Sequence, residues 1–211
     1  MPYQQAYDEW FDEDIYHAFT TRALPTALSA RILVEVFELI IDCLDMSSLT
    51  TAGLVCAAWY SRAMHNLYFI VELHDRKGFD LLSQQCRTSP RVRRWLATAR
   101  QLIASDRPKL PPGKERKDRK NSCFLHALPL ALGHVLSGVQ VLSITRFHPN
   151  ATPLPFFLAL SHFESVTSLT LLHCRLSNIS QLRRLVCAFP RLKHLLLSEN
   201  ILAQESPAGH V

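Results

Sequence analysis

A leucine pattern that recurs in the second half of the chain constrains the possible folds most. Residues 166–176 read VTSLTLLHCRL and residues 192–202 read LKHLLLSENIL, with apolar residues, and then Cys174 or Asn200, at the same spacing in both. A shorter copy occupies residues 139–144, and the three copies begin 27 and 26 residues apart. Two full copies at one period indicate structural repeats that stack on one another.

This period is typical of leucine-rich repeats, in which each unit forms a short strand and a helix that returns the chain to the next strand. Alternate leucines of a strand point inward, and no unit can bury its apolar face without a neighbour. The strands are therefore predicted to stack in parallel. The side chains of Cys174 and Asn200 are predicted to turn inward at the strand ends and to satisfy backbone groups there.

Two earlier segments, residues 69–73 and 99–104, also alternate like strands, although they depart from the full pattern. Helices are predicted between the strands over residues 78–86, 155–161 and 178–189. The predicted fold class is thus a helical segment followed by a short α/β solenoid of about five parallel strands.

The segment 121–145 contains no Asp, Glu, Lys or Arg and follows a basic run, as a transmembrane helix would. Against that alternative, His126, Pro129 and Gly133 lie within the segment. Leucines at 125, 128, 132 and 136 fall on one helical face, which favours an amphipathic helix followed by a strand. No association with a membrane is therefore expected.

The first part of the chain has a helical pattern. One apolar stripe recurs every three or four residues from Leu28 to Leu44, and a second runs from Leu49 to Ala63. Three short helices are predicted within residues 24–69, with an interruption near Cys56. Ser47 or Ser48 is predicted to cap the second helix, because a serine hydroxyl accepts a hydrogen bond from an unpaired N–H of the first turn.

Three further segments differ in composition. Residues 1–23 are acidic with interspersed aromatic residues and are predicted to be a disordered arm. Residues 105–120 hold seven Lys or Arg and three prolines, so they are predicted to form an exposed basic loop inserted in the repeat region 70–202. The alternative for this loop is a patch for nuclear import or for an acidic partner. Residues 203–211 are predicted to be a polar tail.

Composition excludes several classes of function. The formal net charge is only +5, and much of it comes from the basic loop, so nucleic acid is not an expected partner. With 6 glycines the chain has no glycine-rich phosphate motif, and no residue set has catalytic or metal-ligand spacing. The chain is expected to be no enzyme and to need no cofactor or metal. Its 6 scattered cysteines indicate reduced thiols and a cytoplasmic or nuclear location.

Residues 33–44, LVEVFELIIDCL, are followed by Leu49, by LVCAAWY at 54–60 and by LYF at 67–69. This succession resembles an F-box, a short helical motif, within residues 24–69. Together with the repeats, the sequence is most similar to F-box/leucine-rich-repeat proteins abundant in mushroom-forming fungi. The resemblance covers residues 24–202.

The resemblance implies that the F-box docks on the Skp adaptor of an SCF-type cullin-RING ubiquitin ligase and that the repeats hold an unidentified protein substrate. By position, the residues implied to face the adaptor are Leu33, Val36, Ile40, Leu44, Leu49, Leu54, Val55, Cys56 and Trp59. They are more apolar side chains than three small helices can bury among themselves. Some of them are expected to form the internal core of the helices.

Two departures from the family pattern bear on the adaptor contact. Val34 stands where the family has a proline, and Ala57 stands where it has a basic residue. Because proline sets the first helical turn, its absence predicts that the first helix begins before Leu33. The alternative function is a non-catalytic interaction protein, a relative of F-box proteins that no longer assembles into a ligase.

The family usually has more repeats than this chain, so the sequence predicts a solenoid truncated at its C-terminus, or a short receptor whose open strand edge is covered by a partner. If a partner binds the concave face, the residues expected to meet it are Thr145, Thr170, Leu172 and Leu196. The substrate itself is not identified by the sequence.

Overall fold

The computed structural model describes residues 32–106, 124–147 and 154–202. The predicted acidic arm, the tail and all but the first two residues of the predicted basic loop lie outside these ranges. The chain divides into two units, Met1–Ile40 and Ile41–Val211, and residues 32–40 are the described part of the first.

The described residues form helices and strands in an order that changes from helical to alternating. In chain order the elements are α1 Val34–Asp42, α2 Met46–Val55, α3 Ala57–Phe69, β1 Ile70–Leu73, α4 Arg76–Thr88, α5 Pro90–Leu96, β2 Gln101–Ser105, α6 Leu128–Leu132, β3 Val141–Thr145, α7 Leu154–Leu160, β4 Ser168–Leu172, β5 Arg175–Leu176, α8 Ile179–Cys187, β6 His194–Ser198 and β7 Ile201–Leu202.

Five strands form one parallel sheet in the order β1-β2-β3-β4-β6, and β5 pairs with β7 in a small parallel sheet. The prediction of a helical segment followed by an α/β region with about five parallel strands is confirmed at this level. One boundary is corrected, because Ser105 is buried and is the last residue of β2. Residue 105 therefore belongs to a strand and not to the predicted loop.

The prediction that α1 begins before Leu33 is wrong. The helix begins at Val34, and the N–H of Val36 donates to the carbonyl of Leu33 at 3.0 Å. Glu35 lies in the first turn, where a negative charge is favourable beside the unpaired N–H groups of a helix N-terminus. The start is therefore stabilised without the proline of the family pattern.

The cap of α2 also differs from the prediction. Asp45 is the N-cap, and its carboxylate accepts a hydrogen bond from the N–H of Ser48 at 2.7 Å. The hydroxyl of Ser47 donates to the same carboxylate at 3.0 Å. An N-cap must have extended backbone angles, which Asp45 has and the helical Ser47 and Ser48 lack. The predicted interruption is present at Cys56, whose extended backbone separates α2 from α3.

The main core lies on one side of the sheet. Two rows of side chains cross all the strands in register, and helices cover the members on β1 to β4, whereas the members on β6 are exposed. The first row consists of Val71, Leu102, Leu142, Leu169 and Leu195, and the second consists of Leu73, Ala104, Ile144, Leu171 and Leu197. Phe79 of α4, Phe156 of α7 and Leu185 of α8 are buried against this side.

The turns after β3, β4 and β6 share one backbone conformation. In each turn the residue after the strand has a positive φ, at 60°, 52° and 52° for Arg146, His173 and Glu199. The next residue in the two later turns is Cys174 or Asn200, and in the first it is the buried Phe147. The left-handed residue turns the chain sharply enough to aim the following side chain at the core.

The prediction that Cys174 and Asn200 satisfy backbone groups is confirmed. The thiol of Cys174 donates to the carbonyl of Leu172 at 3.4 Å. The amide oxygen of Asn200 accepts from the N–H of Cys174 at 2.8 Å, and its NH2 group donates to the carbonyl of Leu171 at 2.9 Å. Asn200 thus ties the last described turn to the turn before it.

In the described part of the chain, no helix is long and apolar enough to cross a membrane. Within the uncharged segment considered above, α6 has five residues and is followed by the strand β3. The expected order of a helix and then a strand is therefore present, and the helix is shorter than the leucine pattern predicts. Pro129 occupies its first turn, a position that proline tolerates.

Candidate protein-binding surfaces

A small apolar core, separate from the core beneath the sheet, holds α2 and α3 together. Ile41, Leu49, Ala52 and Ala63 are its buried members. Three further residues pack against it while remaining partly exposed, namely Leu44, Trp59 and Leu67. Of the residues implied to face an adaptor, Leu44, Leu49 and Trp59 therefore contribute to this internal core.

The C-terminal end of α2 presents apolar side chains to solvent. Leu54 is 88% exposed and Val55 is 60% exposed, and Cys56, which follows them, is exposed as well. We call Leu54, Val55 and Cys56 the α2 patch. The buried residues of α2, Leu49, Ala52 and Gly53, lie on one face of the helix, and Leu54 and Val55 lie outside that face. The small core therefore cannot bury the α2 patch while α2 stays helical.

The described part of the first unit also exposes apolar residues. Leu33, Val36 and Ile40 are all exposed, and so are their neighbours Val34 and Leu39. Six of the nine residues implied to face an adaptor are thus on the surface of the unit to which each belongs. They are Leu33, Val36, Ile40, Leu54, Val55 and Cys56.

A polar cluster fixes the C-terminal end of α1 to α3. The carboxylate of Asp42 accepts hydrogen bonds from the guanidinium of Arg62, one of them at 2.6 Å, and from the amide of Asn66 at 2.8 Å. The hydrogen bond from Arg62, and then the one from Asn66, lower the pKa of Asp42 to about 2. No local sequence pattern indicates this cluster, because Arg62 and Asn66 are 20 and 24 residues from Asp42 in the chain.

Asp42→Asn is expected to lower the free energy of unfolding at pH 7 by about 1 kcal/mol, since the Asp42 side chain is 32% exposed and solvent screens the pair. The folded-state pKa of about 2 lies below the ordinary value of an aspartate side chain, 3.8. The stabilisation is therefore present above pH 4 and is lost as the pH falls through 2. Urea unfolding of both proteins between pH 7 and pH 2 measures this, and a difference that persists at pH 2 would contradict it.

The face of the sheet opposite the main core forms a second candidate surface. Thr145, Thr170 and Leu172 are half-buried on this face, and Leu196 is exposed on it. Glu72, Ile103, Ser143, Thr170 and Leu196 lie side by side across the five strands. The row is neutral except for Glu72, so it offers hydroxyl groups and apolar contacts and little charge.

The other titratable residues among the described ranges have structural surroundings. Burial raises the pKa of the Cys86 and Cys174 thiols, which keeps both neutral near pH 7. Burial also lowers the pKa of His126, which packs against the rings of Phe147 and Phe156 at 5.3 and 5.8 Å. No three His, Cys, Asp or Glu side chains come together as metal ligands within residues 32–106, 124–147 and 154–202.

The sequence matches no protein-family model and no curated protein. Two features of the described chain therefore bear most directly on function. One is the solvent-exposed α2 patch beside a small, separately packed helical core. The other is the open face of the five-stranded sheet, where the row described above carries Glu72 as its single acidic residue. Both are surfaces suited to binding another protein, since apolar area that is exposed in one chain is stabilised when a partner covers it.

Proposed function

We propose that this protein is the substrate-receptor subunit of an SCF-type cullin-RING ubiquitin ligase. In this proposal residues 24–69 act as an F-box that docks on a Skp-family adaptor, and residues 70–202 are leucine-rich repeats that hold a protein substrate. The observation that carries the proposal is the exposure of Leu54 and Val55 at the end of α2. These two residues belong to the LVCAAWY segment through which the sequence resembles an F-box.

The energetics support a docking role for the α2 patch. Full burial of one exposed aliphatic side chain is worth about 1.5–3 kcal/mol. Association costs at least about 4 kcal/mol in translational and rotational freedom, so a stable complex must bury several such side chains. Leu54 and Val55 supply two, and the exposed Leu33, Val36 and Ile40 supply apolar area on the first unit.

The recurrent turn conformation supports the proposal that the sheet is built from leucine-rich repeats. The same backbone angle precedes Phe147, Cys174 and Asn200, and the last two side chains bond to backbone groups. In a ligase the bond-making steps belong to other subunits, and a receptor contributes proximity between the substrate and the ubiquitin-loaded enzyme. The open sheet face with Thr170 and Leu196 is the surface we assign to substrate.

Leu54→Asp is expected to weaken binding to a purified Skp-family adaptor at least about tenfold, because a buried carboxylate without a partner opposes association. Leu81→Asp is the matched control, since Leu81 is 56% exposed on α4, within the repeat region. Calorimetric titration of the full chain with the adaptor gives both affinities. Equal weakening by the two substitutions would contradict the assignment of the α2 patch.

A second candidate is an interaction protein that keeps the fold but does not join a ligase. The exposed Ala57, at the start of α3, favours it, because the family pattern has a basic residue there that would add a polar contact. This candidate predicts no complex between the adaptor and the unsubstituted chain at micromolar concentration. A complex that Leu54→Asp disrupts selects the ligase receptor instead.

A further inference from the structure

A groove with a volume of about 380 Å³ lies between α4 and α6, and we call it the α4–α6 groove. Of the eight described residues that line it, six belong to α4 and recur every three or four positions, from Arg76 in the first turn to Arg87 in the last. Ala127 and Ala131 form the opposite wall, and their small side chains leave the space open. One whole face of α4 is thus available to a ligand.

The guanidinium of Arg76 is held in place at one end of the groove. Its Nε donates to both carboxylate oxygens of Asp80, at 2.9 and 3.0 Å, and its Cζ lies 5.6 Å from the centre of the Phe79 ring. These contacts engage Nε and the face of the guanidinium, so its two NH2 groups keep their donors for a ligand. A donor that is oriented before binding loses less side-chain freedom when an anion binds.

The other end of the groove holds a cation without a counter-charge. The guanidinium of Arg87 makes no hydrogen bond or ion pair in the described part of the chain. The hydroxyl oxygen of Ser83, which lies between the two arginines along α4, is buried and has no partner among these residues either. The groove therefore combines two guanidiniums with a single carboxylate, that of Asp80.

The chain around the groove is strongly basic. Residues 76–100, which include α4 and α5, contain seven Lys or Arg and one acid, Asp80. The segment 107–123, which precedes α6 in the chain, contains seven Lys or Arg and two acids, so it does not supply the missing anions. A local excess of positive charge accelerates encounter with an acidic partner and disfavours a basic one.

We propose that the α4–α6 groove binds an extended acidic segment of a partner protein, with one carboxylate on Arg76 and a second on Arg87. The guanidinium fork matches a carboxylate with two parallel hydrogen bonds. A peptide fits better than a small molecule, because Arg76, Gln84 and Arg87 are exposed, whereas a small-molecule pocket encloses most of its ligand.

The length of the groove specifies the spacing of the two acids. Arg76 and Arg87 belong to the first and last turns of α4, about 16 Å apart along the helix axis. In an extended peptide, residues four positions apart point the same way and are separated by about 13 Å. The long arginine side chains can close the difference. The partner segment is therefore expected to carry Asp or Glu four positions apart, with small residues between them.

Titration with a short peptide tests the proposal. The probe is GEASAEG, capped at both ends, and NMR spectra of the 15N-labelled full chain show where it binds. We expect a dissociation constant below about 1 mM at about 150 mM salt, with the largest shifts at the amides of residues 76–87 and 127–131. GAESEAG has the same composition with its glutamates two positions apart, and it is expected to bind at least about threefold more weakly. Equal affinity of the two peptides, no binding, or shifts centred elsewhere would overturn the proposal.

Two substitutions in the groove provide an independent measurement. Arg87→Gln is expected to raise the dissociation constant of GEASAEG at least about fivefold, because one charged fork is lost. Arg94→Gln is the matched control, since Arg94 is exposed on α5 in the same basic region and does not line the groove. At this salt concentration charges separated by more than about 8 Å are largely screened, so the control is expected to change the constant less than about twofold. Equal weakening by the two substitutions would indicate unspecific attraction and would overturn the proposal.

Ala131→Leu tests the shape of the groove without changing its charge. The larger side chain is expected to fill part of the space beside α4 and to weaken binding of GEASAEG at least about fivefold. Unchanged binding would place the peptide outside the groove and contradict the proposal.

The acidic residues 1–23 of this chain are the competing occupant. Their removal is expected to change the affinity for GEASAEG less than about twofold. A peptide that binds only after their removal would assign the groove to the chain's own acidic segment, and would overturn the proposal of a partner protein. None of these measurements involves the adaptor, so their outcome is independent of the proposed ligase function.

Discussion

Gly138→Ala is expected to lower the free energy of unfolding by about 3 kcal/mol, although a glycine-to-alanine change in a loop often stabilises a protein. Gly138 lies just before β3, in close contact with the turn before β2. A Cβ atom at this position would lie 2.4 Å from the carbonyl oxygen of Ala97 and 3.0 Å from that of Ala99. Both atoms belong to the backbone, so no side-chain rotation can relieve the overlap.

Urea unfolding at one fixed protein concentration measures this effect, with Gly53→Ala as the matched control. Gly53 lies inside α2, where a Cβ atom would meet only the flexible end of Met64 at 3.0 Å and the Cβ of Ala63 at 3.7 Å. Because alanine favours a helix more than glycine does, Gly53→Ala is expected to leave the stability unchanged or to raise it by up to about 1 kcal/mol. A Gly138→Ala protein as stable as the unsubstituted chain would contradict the close approach of the two turns.

Asn200→Ala is expected to lower the free energy of unfolding by about 2 kcal/mol. The substitution removes the two hydrogen bonds that the Asn200 side chain makes to the previous repeat, so the N–H of Cys174 and the carbonyl of Leu171 lose those partners. The backbone hydrogen bonds from Ile201 to Cys174 and from His173 to Ser198 remain. A lost hydrogen bond costs about 1 kcal/mol, and the cost rises when the remaining group is buried. Because Cys174 is fully buried, losing the partner of its N–H is expected to cost more unfolding free energy than the same loss at an exposed residue.

Asn178→Ala is the matched control for this substitution. Asn178 caps α8 through one hydrogen bond, from the N–H of Gln181 at 2.9 Å, in an exposed position. Its replacement is expected to cost about 1 kcal/mol. Thermal or urea unfolding of both variants shows which substitution lowers the free energy of unfolding more. An Asn178→Ala protein that is less stable than Asn200→Ala would show that Asn200 does not hold the two turns together.

The repeat region could be predicted well from the sequence because its period is enforced by backbone geometry. Leu169 and Leu171 are two residues apart, so they must share a face of a strand, and the 26-residue period returns the next pair to the same place. The inward turn of Cys174 and Asn200 follows from the same spacing. The positive φ of the preceding residue was not predicted, because Arg146, His173 and Glu199 share no residue type that signals it.

The helical region shows where local rules are insufficient. Ser47, Ser48 and Asp45 are all good caps, and the choice among them depends on which residue has extended backbone angles. The absence of a proline at Val34 predicts an earlier start for α1 than the one observed, because the acidic Glu35 in the first turn also favours a helix N-terminus. The cluster of Asp42 with Arg62 and Asn66 joins residues that are distant in the chain, and no local pattern indicates it.

The apolar periodicity and the 26- and 27-residue repeat determined that a helical segment precedes a parallel α/β sheet, since the first sets the type of each element and the second stacks equivalent strands side by side. The periodicity also identified the set of apolar residues from which a docking surface must come. Only the packing decided which of them are free to bind. Leu49 and Leu54 have the same chemistry and lie in the same helix, yet one fills the small core and the other is in water. The same holds for Leu169 and Leu195, because exposure depends on whether a neighbouring strand or helix is present, and that is a property of the assembled fold.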